Sequence, residues 1–124
     1  MIFNKFRNLE ETLNYNDFYW TNLAVNNNKK EAIMFDYNLL GIGFRYNDIR
    51  NVCSSLSEEA GKVFIEEYGV INENEKIIDD GISPLVTLIF AYIRSKFPNW
   101  AKESLATIYN GELEKAIEKI LDLN

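Results

Sequence analysis

The sequence has 124 residues, of which 47% are hydrophobic and 26% are charged, with a net charge of −6. This size and composition match one ordinary globular domain and exclude a disordered chain. Its single cysteine, Cys53, excludes an internal disulfide, and the absence of histidine excludes Ser-His and Cys-His catalysis. We therefore expect a single globular domain over residues 1–124 that is not an enzyme.

The sequence shows no signal for export or membrane insertion. The first residues are interrupted by Asn4, Lys5 and Arg7, unlike the continuous apolar stretch of a signal peptide. The longest apolar run, Leu85–Ile93, has nine residues, whereas a helix needs about 20 to cross a bilayer. We expect a cytoplasmic protein without a membrane partner. The 16 asparagines, together with frequent Ile and Lys, indicate an AT-rich genome and favour a bacterial or phage source.

The first third of the chain has mixed signals. Helical spacing of apolar residues predicts a helix over residues 2–13, and residues 18–25 suit either a short helix or a strand. Asn28 and Glu31 form a capping-box pattern that predicts a helix over 28–41, ended by Gly41. The alternative is a β-hairpin that pairs 18–25 with 31–37.

The rest of the chain is predicted to be helical. A helix begins near Asn47, and a second one is capped by Ser57 and ends at Gly69. Residues 70–81 are predicted to be a polar loop, and Ser83-Pro84 is typical of a helix start. Residues 84–97 are apolar nearly all round, as in the buried centre of a helical bundle.

Two further helices follow this apolar segment. Trp100 lies at the start of the first and is expected to pack against the central helix, and Asn110-Gly111 provides the turn into an amphipathic helix over 113–121. The predicted fold is therefore mostly α. It is a single-domain helical bundle around a central apolar helix at about 84–97, with a possible small β-hairpin near 18–37.

No motif for a cofactor or a metal is present. The segment from Gly41 to Phe44 lacks the third glycine of a dinucleotide-binding turn. The segment from Asn72 to Lys76 resembles a calcium loop only in part, because Lys76 lies where an oxygen ligand is needed. We therefore predict no catalytic residue, no cofactor and no metal. An enzyme using paired carboxylates is the remaining enzymatic alternative.

Two features indicate protein binding. Between Glu66 and Asp80 there are six acidic residues and one basic residue, so most of the net charge lies there. Such a segment is either a solvated loop or a docking surface for a basic partner. Its negative charge would repel phosphates, so we do not expect nucleic acid as a ligand. Aromatic residues near position 18 are typical of binding hot spots. The candidate partner-binding residues are Glu66, Glu67, Glu73, Glu75, Asp79, Asp80, Tyr15, Tyr19 and Trp20.

These features favour a stoichiometric inhibitor. The leading hypothesis is an immunity protein or antitoxin that covers the active site of a basic bacterial toxin, such as a nuclease, after charge-steered docking. One alternative is a phage-encoded inhibitor of a host defence nuclease. Another is a helical adaptor without inhibitory activity, which would expose an apolar groove. The sequence does not indicate an oligomeric state.

Overall fold

The computed structural model describes residues 3–123, and helices predominate in it, which confirms the mostly α prediction. The chain divides into two compact units. Residues 10–71 form the N-terminal unit, and the described part of the C-terminal unit comprises residues 3–9 and 72–123. The prediction of one domain stays a prediction.

The N-terminal unit contains two small antiparallel sheets followed by two helices. Strand β1 (Thr12–Asn14) pairs with β4 (Gly41–Gly43), and β2 (Leu23–Val25) pairs with β3 (Ala32–Met34). A 3-10 turn, Trp20–Asn22, precedes β2. The helix predicted over 2–13 is therefore wrong for most of its length, because only α1 (Phe3–Phe6) is helical there and β1 follows. Ile2, which belonged to that predicted helix, lies outside the described residues.

The hairpin near 18–37 is confirmed, and the helix over 28–41 is wrong. The polar side chains that resemble a capping box stabilise the β2–β3 turn instead. Asn26 Oδ1 accepts from the backbone amides of Lys30 (3.1 Å) and Glu31 (3.3 Å), and Asn28 Oδ1 also accepts from Lys30 N–H (2.9 Å). Lys29 has a φ of 58°. Asparagine commonly bonds to nearby backbone amides in this way, which favours turns over helices.

Helices α2 (Arg45–Ser55) and α3 (Glu58–Tyr68) complete the N-terminal unit. Ile49 and Val52 are the buried residues of α2. Ser57 caps α3 as predicted, since its Oγ accepts from Ala60 N–H at 3.3 Å, and Gly69 ends the helix with a φ of 101°. The buried residue of α3 is Gly61, whereas Val63 is exposed.

The C-terminal unit is built on the long helix α4 (Glu73–Tyr92), which packs against α5 (Lys102–Tyr109) and α6 (Glu112–Asp122). The predicted loop at 70–81 and the predicted helix start at Ser83-Pro84 are both wrong. Asn72 caps α4, because its Oδ1 accepts from the amides of Asn74 (3.0 Å) and Glu75 (3.3 Å). Pro84 therefore lies inside the helix, where its ring nitrogen cannot donate to the preceding turn.

The core of this unit is a close approach of α4 to α6. Ile120 of α6 is completely buried, and a β-carbon added at Gly81 would lie 2.6 Å from its Cδ1 atom. A larger residue at this position would therefore displace the end of the Ile120 side chain. The amphipathic final helix was predicted correctly, and Gly111 with a φ of 78° makes the turn before it.

Residues 84–97 are less buried than predicted. Helix α4 ends at Tyr92, and Leu88 and Ala91 are its buried residues in this part. Ile89 and Phe90 are exposed. Trp100 is 53% exposed, with the guanidinium of Arg94 5.6 Å from its ring centre. Among the residues described, no helix combines the length and apolar character needed to cross a membrane.

Candidate partner-binding surface

Tyr19 and Trp20 form an exposed aromatic pair in the N-terminal unit. Their side chains are 54% and 58% exposed, and their ring centres are 6.0 Å apart. The backbone amide of Trp20 donates to Ser55 Oγ at 2.8 Å. Asn22 Nδ2 donates to the carbonyl of Asp17 at 3.1 Å, which closes the segment on itself. The rings are therefore presented to solvent from an anchored backbone.

Tyr15 was predicted to contact a partner together with Tyr19 and Trp20, but its environment differs from theirs. It is buried, its hydroxyl donates to the carbonyl of Phe35, and its ring meets that of Tyr37 edge to face at 5.6 Å. Burial raises the pKa of the Tyr15 hydroxyl above its ordinary value. The side chain supports the segment that carries the exposed rings, so we leave it out of the proposed contact surface.

The Asp48 carboxylate fixes the chain directly before the aromatic pair. It accepts from the backbone amides of Tyr15 and Asn16, each at 2.9 Å. Asn16, which has a φ of 65°, accepts through Oδ1 from Asn47 Nδ2 at 2.7 Å. The completely buried Asn14 donates to the carbonyl of Phe44 at 2.8 Å. Side-chain amides thus supply the hydrogen bonds that longer strands would otherwise provide.

Sequence reasoning missed three exposed apolar residues of the hairpin region: Ile33, Phe35 and Tyr37. The amide of Phe35 donates to the carbonyl of Asn22 at 3.1 Å, so this residue lies next to the segment that carries Trp20. The helix prediction for 28–41 gave no indication that these three residues are exposed. The alternative hairpin prediction placed these residues on one face of a strand, but an apolar strand face is ordinarily buried, so no local signal marked them as exposed.

The six acidic residues do not form one continuous loop. Glu66 and Glu67 are exposed at the end of α3, in the N-terminal unit, and the other four lie on α4, in the C-terminal unit. On α4, Glu73 and Asp80 are exposed, whereas Glu75 is 2% exposed and Asp79 is half-buried. Four of the six carboxylates are therefore well placed to meet a partner.

Helix geometry accounts for part of the acidic density. Glu73 and Glu75 lie in the first turn of α4, where negative charge favours the positive end of the helix dipole. Asp80 lines a shallow cleft of about 200 Å³ that Lys115 and Lys119 of α6 also line. The field near Asp80 is therefore mixed in sign. Glu66 and Glu67 are an exposed acidic pair at the end of α3.

The described residues include no cluster of side chains that could hold a metal ion. Within residues 3–123, no group of three or more Cys, Asp or Glu side chains is placed to hold a metal ion. Cys53 is half-buried between α2 and α3, and burial raises the pKa of its thiol. A raised pKa lowers the thiolate fraction, which makes this cysteine a poor nucleophile.

Comparison with known proteins adds no relative. The chain matches no protein-family model, no curated protein and no solved structure. Its function must therefore be inferred from its own surface.

Proposed function

We propose that this chain is a protein-binding inhibitor that acts in the cytoplasm. Its partner would be a basic protein, and the leading candidate is a bacterial toxin such as a nuclease, which the chain would neutralise as an immunity protein or antitoxin. The observation that carries the proposal is the anchored, exposed pair Tyr19 and Trp20. Tyrosine and tryptophan are enriched among the few residues that supply most of the binding energy of interfaces.

The anchoring of the pair favours binding because it lowers the entropy lost when a partner docks. Trp20 is held through its backbone by Ser55, and the preceding residues are held by Asp48. A segment that is already ordered gives up less freedom on association than a mobile loop. The exposed neighbours Phe35 and Tyr37 would extend the apolar centre of the interface.

Exposed carboxylates would increase the rate at which the chain encounters a basic partner. Glu66, Glu67, Glu73 and Asp80 contribute to a chain with a net charge of −6. Complementary charge raises association rates and selects basic partners, whereas nucleic acid phosphates would be repelled. Covering the substrate cleft of a nuclease requires no chemistry from the inhibitor itself.

Trp20→Ala tests the proposal, and Trp100→Ala is its matched control, because Trp100 is an equally exposed tryptophan in the other unit. The partner to test is the protein encoded next to this chain, purified and titrated by calorimetry. We expect Trp20→Ala to weaken binding about 30-fold, as for a hot-spot residue. Trp100→Ala should change it less than about threefold. Equal effects of the two substitutions would contradict the proposed surface.

The second measurement separates an inhibitor from an adaptor. The exposed apolar residues of α4 favour the adaptor as the second candidate function, since an adaptor is expected to expose an apolar groove. An inhibitor abolishes the activity of its bound partner at one-to-one stoichiometry, whereas an adaptor leaves that activity unchanged. A bound partner that keeps full activity would rule out the inhibitor proposal.

A further inference from the structure

The end of α4 exposes large apolar side chains over a wide arc. Ile89, Phe90, Tyr92 and Ile93 are 63%, 57%, 66% and 75% exposed, and the only buried residue between them is Ala91. At about 100° per residue, the four exposed side chains cover about 160° of the helix circumference. The seam between two paired helices is narrower than about 100°. The arc is therefore wider than a single partner helix would cover.

Ring contacts fold the connection between α4 and α5 against the end of α4. The ring centres of Tyr92 and Phe97 are 5.3 Å apart, and the guanidinium of Arg94 lies 5.6 Å from the ring centre of Trp100. The 3-10 turn Asn99–Ala101, which carries Trp100, also packs against α4. Arg94 and Trp100 thus lie together beside the apolar arc. We define the α4–α5 tip as residues 89–102.

The charge of the α4–α5 tip is opposite to that of the whole chain. Its basic residues Arg94, Lys96 and Lys102 are exposed, and residues 81–102 include no acidic residue, although the chain has a net charge of −6. Glu103 is the nearest acid and directly follows the tip. Lys102 lies in the first turn of α5, where positive charge opposes the helix dipole, so helix stability does not account for it. A ligand of the tip must combine an apolar medium with negative charge.

We infer that the α4–α5 tip binds the surface of a bilayer that contains anionic phospholipids. The isoleucine and phenylalanine side chains of the arc would enter the boundary between headgroups and acyl chains, and the lysine and arginine side chains would reach the headgroup phosphates. Tyr92 and Trp100 each combine an apolar ring with one polar group, which suits this boundary. The inference concerns a surface other than the Tyr19–Trp20 pair and does not depend on the proposed function.

The proposed contact lies at the bilayer surface and does not cross it. The prediction of no membrane partner follows from the lack of a spanning segment, and no helix among the described residues could span a bilayer. Contact with a bilayer surface requires only a few exposed apolar residues together with basic ones. The rest of the chain is acidic and would be repelled by anionic lipid, so the contact is confined to the tip.

Cosedimentation of the full chain with lipid vesicles measures this binding. We expect the chain to partition into vesicles of equal parts phosphatidylcholine and phosphatidylglycerol, and at least about tenfold more weakly into phosphatidylcholine alone, because each basic residue near an anionic surface strengthens binding about fivefold. Raising the NaCl concentration from about 0.1 M to about 1 M shortens the Debye length from about 10 Å to about 3 Å. Binding to the anionic vesicles should therefore be lost at the higher salt concentration.

A double charge reversal tests the basic residues of the tip. Lys96→Glu combined with Lys102→Glu should weaken binding to the anionic vesicles at least about 25-fold. Lys115→Glu combined with Lys119→Glu is the matched control, because it changes the net charge equally on exposed residues of α6. These two lysines line a cleft beside Asp80, which precedes the tip by about 13 Å of helix, more than a Debye length. The control should change binding less than about threefold.

A neutral substitution tests the apolar arc separately. Ile93→Gln should weaken binding to the anionic vesicles about tenfold, because it removes an apolar side chain from the lipid boundary. Val70→Gln is the control, since Val70 is an 88% exposed aliphatic residue of the N-terminal unit, and it should leave binding unchanged. Both positions are exposed, so folding should stay intact, which far-UV circular dichroism checks.

Several outcomes would overturn the inference. They are no binding to vesicles of either composition, equal binding to both, and binding that neither the charge reversal nor Ile93→Gln weakens. Basic and aromatic residues together can also bind single-stranded nucleic acid by stacking. If the tip bound a fluorescent oligothymidylate through Lys96 and Lys102 and did not bind vesicles, it would be a nucleic acid site, and the lipid assignment would be wrong.

Discussion

The two units are stabilised by different kinds of interaction. In the C-terminal unit, helices meet through buried apolar side chains, and Ile120 lies against Gly81 of α4. In the N-terminal unit, the strands have three residues, and the Asp48 carboxylate of α2 fixes the two residues that follow β1 through their backbone amides. A strand pair this short is marginal by itself, so the polar side chains decide its stability. The most sensitive position should therefore be a buried apolar side chain in the C-terminal unit and a carboxylate in the N-terminal unit.

The largest effect is expected in the apolar core of the C-terminal unit. Ile120→Ala removes three carbons from a completely buried side chain and leaves a cavity against Gly81. We expect the free energy of unfolding to fall by about 3 kcal/mol, as for buried isoleucine elsewhere. Denaturant unfolding followed by circular dichroism measures it. The neighbouring Leu121 is 55% exposed, and Leu121→Ala should cost less than about 1 kcal/mol. Equal losses would mean that Ile120 is not the centre of this core.

The next largest effect is expected at the Asp48 carboxylate. Asp48→Ala leaves the amides of Tyr15 and Asn16 without their acceptor, and the free energy of unfolding should fall by about 2 kcal/mol. Asp48→Asn is the control, because its single amide oxygen can still accept one of these bonds, and it should cost about half as much. Hydrogen exchange should show faster exchange at both amides in Asp48→Ala. Unchanged exchange there would contradict this role.

Two buried helical glycines give the sharpest comparison. At Gly81 an added β-carbon would lie 2.6 Å from Ile120 Cδ1 and 3.3 Å from Ile117 Cδ1, so the end of the completely buried Ile120 side chain would have to shift. Gly81→Ala should therefore destabilise by about 1 kcal/mol, since overpacking exceeds the gain in helix propensity. At Gly61 the nearest atoms belong to Cys53 at 3.8 Å, an ordinary contact. Gly61→Ala should stabilise by about 0.5 kcal/mol. Denaturation midpoints that shift in the same direction would contradict this difference.

Local sequence patterns predicted the structure correctly where each pattern is compatible with only one local structure. Ser57, Gly69 and Gly111 each mark a helix boundary that the structure confirms, and the apolar spacing of α6 has one interpretation. Asn28 with Glu31 could cap a helix or close a hairpin turn, and the cross-strand pairing of β2 with β3 decided for the turn. That pairing joins residues far enough apart that a local pattern does not contain it.

The candidate surface could also be predicted only in part, because local sequence patterns do not contain tertiary packing. Tyr19 and Trp20 are exposed, and their role in binding a partner stays a prediction. The burial of Tyr15 and Glu75 depends on tertiary packing that residue type does not reveal. The helix at Glu73 was hidden because Ser83-Pro84 is a strong start signal, yet Asn72 provides an earlier cap and Pro84 is accommodated within α4.

The smallest expected effect concerns Cys53, whose nearest atoms lie 3.8 Å from a β-carbon added at Gly61. Because burial raises the pKa of the folded thiol, the unfolded chain loses this proton at a lower pH than the folded chain does. The contribution of Cys53 to stability is thus complete below the ordinary thiol pKa and is lost as the pH rises through the folded value. Other groups also titrate in alkaline solution, so the quantity to measure is the difference in denaturation midpoint between the native chain and Cys53→Ala. The difference between the two denaturation midpoints should be constant from pH 6 to pH 8. By pH 10 the midpoint of the native chain should have fallen relative to that of Cys53→Ala. A difference that does not change with pH would show that the thiol is as accessible in the folded chain as in the unfolded one, and that α2 and α3 do not close over it.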